Sequence, residues 1–286
     1  MTHEPHLSAA AATDVGRVRR VNEDAYLTGP RIALVADGMG GHARGDVASA
    51  LAVDAFAELG DAGPLRPEDL VATVERANRA IVAEGAAHPD RAGMGTTLTG
   101  VALVTLADGP GTGGGRDWHW LVLNVGDSRV YRLTGGAVEQ LTVDHSEVAE
   151  LVAAGRLRPE EARHHPLRNI VTRALGTDPS PVADTWLIPV AEGDRFLVCS
   201  DGLTGELEDA RIGELAAGAG SLQHLADLLV REAVAAGGRD NVTVVVVAAP
   251  SDIIGADTDP DGETTMTLPR TAFREWATDA GDGGRP

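Results

Sequence analysis

Short apolar runs, separated by polar and glycine-rich turns, are the dominant pattern of this chain. Seven runs have the length and the Val/Leu content of β-strands, at residues 32–36, 97–106, 118–125, 130–133, 138–141, 196–200 and 242–249. Gly135-Gly136 is typical of a tight hairpin turn, and the glycine-rich residues 109–115 are interpreted as a flexible hairpin loop. Strands that are joined by hairpins favour antiparallel over parallel sheets.

Other segments repeat apolar residues at steps of three and four, which predicts helices at residues 45–59, 67–85, 146–154 and 222–236. In the second of them, Leu70, Val74 and Ile81 share one face, and Pro67 is a suitable first residue. We therefore expect an α+β fold in which helices pack outside antiparallel sheets.

The distribution of proline and charge predicts one folded domain with an insert and a tail. Residues 144–185 are polar and broken by prolines, and we interpret them as a flap-like insert over or beside a site. After Pro250 the chain becomes acidic, rich in Gly, Asp and Thr, and without periodicity. We expect a folded domain at residues 1–250 and a disordered acidic tail at residues 251–286.

Composition narrows the possible partners and chemistry. The net charge of −19 argues against nucleic acid or an anionic membrane as the main partner. All 24 basic residues are arginine, which excludes a Schiff-base lysine and a P-loop lysine.

Cys199 is the single cysteine, so no disulfide can form within the chain. We see no signal peptide and no apolar stretch of about 18 residues, and we expect a cytoplasmic chain without a membrane span.

Acidic residues border several of the apolar runs. They are Asp37-Gly38, Gly126-Asp127, Asp201-Gly202 and Asp240-Asn241, and a fifth acidic group, Asn22-Glu23-Asp24, lies near the N-terminus beside Arg19 and Arg20. A single Asp-Gly pair usually marks a turn, but the recurrence at strand ends indicates a site. Two carboxylates about 4 Å apart repel by about 4 kcal/mol at the effective dielectric of a protein surface. Divalent metals would offset this repulsion, and two metals in one acidic pocket indicate phosphoryl chemistry.

Six motifs in a fixed order carry a family resemblance. They are Gly16-x-Val18-Arg19-x-x-Asn22-Glu23-Asp24, Asp37-Gly38-Met39-Gly40-Gly41-His42, Gly93-Met94-Gly95-Thr96-Thr97, Gly126-Asp127-Ser128-Arg129, Ser200-Asp201-Gly202-Leu203 and Gly238-Arg239-Asp240-Asn241-Val242-Thr243. With them the chain resembles the metal-dependent protein serine/threonine phosphatases of the PP2C (PPM) family, in their bacterial form. The resemblance covers roughly residues 8–249, and it implies a four-layer α-β-β-α sandwich with two mostly antiparallel sheets.

The resemblance also implies a dinuclear Mn²⁺ or Mg²⁺ site with a weaker third metal. Asp37 would bridge the two metals, and Glu23 and the carbonyl of Gly38 would bind the second one. Asp201 and Asp240 would bind the first metal, and Asp24 would act through a bound water. Asp127, together with Asp201, would form the third site. The catalytic set implied in this way is Arg19, Asp37, Asp201 and Asp240, and Arg19 would hold the substrate phosphate.

Elementary chemistry agrees with these assignments. Oxygen-only ligands select hard cations such as Mn²⁺ and Mg²⁺. A metal-bound water loses its proton more easily, which would give a hydroxide that attacks phosphorus in line. The planar guanidinium of Arg19 suits a phosphate dianion. On strand geometry its neighbour Arg20 should face away.

Some positions depart from the family pattern. Met39 stands where many members have a His that is a candidate general acid, so the proton donor is unassigned. Gly205 stands where many members have an Asp, so the third metal site would be weaker, or completed by Glu206 or water. His145, His164 and His165 are interpreted as surface residues of the insert rather than ligands, and His42 as a structural or solvated residue.

The resulting hypothesis is a monomeric enzyme that removes phosphate from phosphoserine and phosphothreonine on protein substrates, opposing a bacterial Ser/Thr kinase. One alternative keeps the chemistry and changes the partner to an anti-sigma antagonist in a partner-switching circuit. Another is a catalytically silent regulator that binds phosphoproteins.

Overall fold

Two antiparallel β-sheets form the centre of the structure, a computed structural model that describes residues 5–40, 44–60, 63–106, 118–135, 137–250 and 266–267. The first sheet has the order β1 (Ser8–Asp14), β11 (Val242–Ala248), β10 (Arg195–Cys199), β7 (Arg129–Thr134) and β8 (Ala137–Gln140). The second has the order β12 (Met266–Thr267), β9 (Asp184–Pro189), β6 (Trp118–Val125), β5 (Leu98–Thr105), β3 (Ile32–Met39) and β2 (Asp24–Thr28), and β4 (Gly95–Thr96) pairs with β3.

Helices lie along the chain between the strands. They are α1 (Gly45–Gly60), α2 (Pro67–Ala87), α3 (Glu147–Ala153), α4 (Pro159–Ala162), α5 (Asp201–Thr204), α6 (Asp209–Gly218) and α7 (Leu222–Ala236), with a 3₁₀ turn at Pro89–Arg91. At the start of α7 the hydroxyl of Ser221 accepts a hydrogen bond from the His224 N–H at 3.1 Å, which satisfies a free helix donor. Within the described ranges no helix is long and apolar enough to cross a membrane.

Three apolar layers hold the sheets and helices together. Alternate residues of each strand face opposite sides, so Val35 packs between the sheets while Leu34 packs toward α1 and α2. On the other side, Val244 of β11 packs against Leu225 and Leu229 of α7. The order is therefore helices, sheet, sheet, helices, and the predicted α+β sandwich with antiparallel sheets is confirmed.

Several elements were not predicted from the sequence. The missed strands are β1, β2, β4, β9 and β12, and the missed helices are α4, α5 and α6. The alanine-rich β1 has little intrinsic strand preference. It is a strand because it pairs with β11, with Ala10 opposite Val246.

The structure describes the whole predicted insert, but only two residues of the predicted tail. The predicted insert at residues 144–185 contains α3 and α4, and its last two residues belong to β9. Met266 and Thr267, inside the predicted disordered tail, instead pair with Leu187 and Trp186 of β9. The rest of the predicted tail lies outside the described residues, as does the predicted loop at residues 109–115.

Candidate metal centre

Acidic residues from both sheets meet at one end of the sandwich. Asp24 lies opposite Asp37 in the pairing of β2 with β3. Asp201 follows β10 and Asp240 precedes β11, and these antiparallel strands pair directly, which brings the two residues together. A hydrogen bond joins the two sheets here, because the hydroxyl of Ser200 donates to Asp24 Oδ2 at 2.8 Å.

Burial and mutual repulsion make these carboxylates hold protons more tightly than usual. Burial, followed by the charges of Asp24 and Asp201, raises the pKa of Asp37 well above its usual value. Burial is also the main cause that raises the pKa of Asp24 to about 7, of Asp201 to about 6 and of Asp127 to about 8. A hydrogen bond with Asp37 partly offsets the shift at Asp201. A cation bound among these carboxyl groups would favour their ionised forms again.

Arg19 is hydrogen-bonded to this acidic group. Its Nη2 donates to Asp240 Oδ2 at 2.7 Å. The side chain is 49% exposed, and in the described part of the chain its hydrogen bonding is confined to this carboxylate. Several guanidinium donors are therefore open toward solvent. Arg19 lies in the connection between β1 and β2 rather than in a strand, so the expectation that Arg20 faces away by strand alternation does not apply.

Glu23 and Gly38 lie beside the start of α1. The Glu23 side chain accepts a hydrogen bond from the Gly45 N–H at 3.1 Å, and the Glu23 carbonyl accepts one from Gly38 N–H at 3.1 Å and one from the Ser49 hydroxyl at 2.6 Å. A Cβ on Gly38 would lie 2.3 Å from the Gly45 carbonyl oxygen, so this close approach requires glycine. The Glu23 carboxylate and the Gly38 backbone consequently share one corner of the site.

Asp127 is held at the boundary between the acidic group and the insert. A cavity of about 900 Å³ is lined by Asp127, Asp201 and Asp240 on one side and by α3, α4 and following residues of the insert on the other. Arg129 binds both carboxylate oxygens of Asp144, at 2.7–3.1 Å, and so ties β7 to the start of the insert. The acidic group therefore opens into a space large enough for a peptide side chain.

Comparison with known proteins identifies the family. The sequence profile of the protein phosphatase 2C family matches residues 17–236. The chain belongs to the protein phosphatase 2C family. The serine/threonine phosphatase stp of Listeria innocua is 37% identical over 254 residues, which cover 84% of this phosphatase and 95% of that protein. The serine/threonine protein phosphatase PstP of Mycobacterium tuberculosis is 40% identical over 281 residues, which cover 93% of this phosphatase and 51% of PstP. The chain thus spans about half the length of PstP.

Solved structures of bacterial phosphatases share this fold. The Mycobacterium tuberculosis phosphatase PstP/Ppp superposes with a TM-score of 0.76 at 39% identity, covering 85% of this chain and 98% of that one. The PstP catalytic domain in complex with two manganese ions gives a TM-score of 0.74 at 38% identity, covering 86% and 99%. The predicted family and the prediction of a metal-dependent protein phosphatase are therefore confirmed.

The donor set of the phosphatase fits a hard divalent cation. Every candidate ligand offers oxygen, and Asp24 Oδ1 is buried without a hydrogen-bond partner. A buried, unpaired carboxylate oxygen is costly unless a cation faces it. The described residues nevertheless contain no ready-made cluster of three or more His, Cys, Asp or Glu side chains for a metal. Asp240 and Glu23 each accept a hydrogen bond, from Arg19 and from the Gly45 N–H respectively.

Two residues that organise the site had no role in the sequence prediction. Asn241 donates from Nδ2 to the carbonyls of Val15 and Val21, both at 3.0 Å, and accepts from the Glu23 N–H at 2.9 Å. Ser200 accepts from the Thr243 N–H at 3.0 Å. Both lie inside the quoted motifs, which was the available signal, but their partners are distant in the sequence.

Two interpretations of side chains near the site are corrected. His145 is 4% exposed and is not a surface residue. Its Nδ1 accepts from the Gly126 N–H at 3.0 Å, and its Nε2 lies 3.2 Å from Asp184 Oδ2, so it anchors the insert beside Asp127. Glu206 was considered as a third-metal ligand, but hydrogen bonds from Arg239 occupy its oxygens and lower its pKa. His42 lies outside the described residues.

Proposed function

We propose that this phosphatase hydrolyses phosphoserine and phosphothreonine monoesters on proteins at a site for two Mn²⁺ or Mg²⁺ ions. The observation that carries the proposal is the convergence of Asp24, Asp37, Asp201 and Asp240 beside Arg19. The names of the relatives from Listeria and Mycobacterium, and the two manganese ions in one of the related structures, support the same conclusion.

Each acidic residue has a proposed part in holding the ions. Asp37 would bridge them, with Glu23 and the Gly38 carbonyl on one ion. Asp201 and Asp240 would bind the other ion, Asp24 would act through a water, and Asp127 with Asp201 would form a weaker third site. When bound, divalent ions would lower the pKa of a coordinated water and offset charge on the phosphoryl oxygens.

Three further side chains bear on the proposed reaction. Arg19 would bind the phosphate through its solvent-facing donors, while its bond to Asp240 keeps the guanidinium in place. Cys199 is unsuited to be a nucleophile, because it is fully buried and burial raises its pKa to about 12. Met39 carries no proton to donate, so the leaving group would take its proton from water or from another residue.

The proposed biological setting follows from the same reaction. The substrates would be phosphorylated proteins, with a Ser/Thr kinase as the opposing enzyme, and the phosphatase would act as a cytoplasmic monomer. The cavity of about 900 Å³ under the insert supports a peptide substrate. We assign catalysis to residues 1–250, with residues 144–185 as a flap and residues 251–286 as an acidic tail.

Metal removal is the direct test of this function. We expect purified protein to hydrolyse p-nitrophenyl phosphate and phosphothreonine peptides with Mn²⁺, to lose activity in EDTA, and to regain it when Mn²⁺ is returned. Turnover that persists in EDTA would exclude the proposed mechanism. Phosphopeptide binding without turnover at saturating Mn²⁺ would instead identify a silent regulator, and a phosphopeptide panel would separate general from partner-switching substrates.

Arg19→Ala should raise KM far more than it lowers kcat. The substitution removes a charge-assisted hydrogen bond to the phosphate. We therefore expect the KM for p-nitrophenyl phosphate, measured by steady-state kinetics in Mn²⁺, to rise about ten- to a hundredfold. Arg20→Ala is the matched control, since in the described part of the chain no hydrogen bond or ion pair joins this exposed neighbour to the acidic residues, and its KM should stay within about twofold. Equal KM values for the two variants would show that another group binds the phosphate.

A further inference from the structure

Glu206 and Arg239 form an ion pair with several hydrogen bonds next to the acidic group. Glu206 follows α5, and its side chain is only 5% exposed. Its Oε1 accepts from the backbone N–H and the Nε of Arg239, at 2.9 and 2.8 Å, and its Oε2 accepts from Nη2 at 3.0 Å. The same Nη2 also donates to the Gly205 carbonyl at 3.1 Å. Arg239 thus fixes both the carboxylate and the backbone of the segment between α5 and α6.

The position of this pair connects it to Asp240. One of the three donors to Glu206 is the backbone N–H of the residue that immediately precedes Asp240. The Glu206 carboxylate also packs against the turn itself, because a Cβ on Gly237 would lie 2.5 Å from its Oε2. The turn at residues 237–240 therefore cannot move away from Glu206 without breaking several polar contacts.

The opposite side of the turn faces the segment that carries Arg19. The Arg17 N–H donates to the Gly238 carbonyl at 2.7 Å, and a Cβ on Gly16 would lie 2.3 Å from the Asp240 carbonyl oxygen. The turn is consequently held between Glu206 on one side and the Arg19 segment on the other. Its placement sets where the Asp240 carboxylate lies relative to Arg19 and Asp201.

We infer that Glu206 and Arg239 are positioning residues for Asp240, holding the 237–240 turn so that its carboxylate can serve the metal site. This inference rests on the proposed function, because it takes Asp240 as a metal ligand. Glu206 would act through its hydrogen bonds with Arg239 rather than as a ligand of the ion. Residues that orient a ligand in this way typically change metal affinity or activity by about 10- to 100-fold when they are replaced.

Manganese affinity measured by isothermal titration calorimetry tests this role without relying on turnover. We expect Glu206→Ala and Arg239→Ala each to weaken the tighter Mn²⁺ binding by at least about tenfold. The double variant should be little weaker than the worse single variant, because both changes release the same turn. The Mn²⁺ concentration that gives half-maximal hydrolysis of p-nitrophenyl phosphate should rise in parallel.

A second ion pair provides the matched control. Arg211 of α6 binds Glu214 and Glu232, both at 2.9 Å, and neither partner belongs to the acidic group. Arg211→Ala should leave Mn²⁺ affinity within about twofold of the unsubstituted protein. If the alanine variants do not fold, Glu206→Gln and Arg239→Lys replace them, because both keep most of the side-chain volume. Glu206→Gln loses the negative charge, and Arg239→Lys loses the planar guanidinium group. We expect the same loss of Mn²⁺ affinity from each.

Two results would overturn the inference in distinguishable ways. A folded Glu206 or Arg239 variant with a lower melting temperature but unchanged Mn²⁺ affinity would show that the pair serves stability alone. Failure of the unsubstituted protein to bind Mn²⁺ or to hydrolyse phosphoesters would remove the proposed function, and the inference with it.

Discussion

Asp37→Asn is expected to lower kcat/KM for p-nitrophenyl phosphate by about a thousandfold in Mn²⁺. Asp37 is the residue proposed to bridge both ions, and a metal contributes several kcal/mol of charge stabilisation in phosphoryl transfer. A loss of about 4 kcal/mol corresponds to this factor. Steady-state kinetics across a range of Mn²⁺ concentrations would measure it, and excess Mn²⁺ should not restore the rate.

The same substitution should make the metal-free protein more stable. The pKa of Asp37 is raised by burial and by the charges of Asp24 and Asp201, which means that the ionised form is disfavoured in the fold. Asparagine removes that charge and can still hydrogen-bond to Asp201. In EDTA at neutral pH we expect the melting temperature to rise by about 2–5 °C.

Asp54→Asn is a suitable control for both measurements. Asp54 is an exposed aspartate on α1, so its neutralisation should change neither activity nor melting temperature appreciably. An Asp37→Asn variant with full activity would contradict the metal site. A variant that is inactive and also less stable in EDTA would contradict the argument from charge repulsion.

Trp120→Ala is expected to lower the free energy of unfolding by about 3–5 kcal/mol. Trp120 is fully buried between the two sheets, where its ring meets that of Phe196 edge to face at a centroid distance of 4.9 Å. Truncation would leave a large cavity where β6 faces β10 and remove contacts that join the sheets. Urea denaturation followed by circular dichroism would measure the loss.

Trp120→Phe separates packing from hydrogen bonding at the same position. The indole Nε1 donates to Asp194 Oδ2 at 3.0 Å, and phenylalanine would lose this bond but keep most of the ring. Because Asp194 keeps its bonds to Arg132 and Ala191, we expect a cost of only about 1 kcal/mol. Equal losses for the alanine and phenylalanine variants would mean that the hydrogen bond, rather than packing, dominates this contact.

The strand and helix predictions succeeded where a segment carries its own signal. The apolar run of β3 and the heptad-like spacing of α2 identify those elements, because each pattern repeats within one segment. The predicted bounds of α7 agree with Leu222–Ala236. Prediction failed for β1, whose alanines form a strand only when β11 pairs with them.

In the candidate site, prediction also failed for single side chains whose partners are distant in the sequence. The motifs named the acidic residues, but nothing local to Glu206 reveals that Arg239, 33 residues later, binds its carboxylate. His145 was interpreted as a surface residue because its neighbours in the sequence are polar. Its burial depends on Gly126 and Asp184, which the fold brings to it from other strands.

The sequence alone identifies an oxygen-only set of candidate ligands, arginines beside them, a single cysteine and no lysine. Those features are chemical identities, and they do not depend on conformation. The convergence of the carboxylates, their tendency to retain protons and the separation of Glu206 from the site depend on burial and on distances between remote residues. These properties exist only when β2, β3, β10 and β11 are assembled, because the free energy of ionising a carboxyl group depends on its burial and on neighbouring charges.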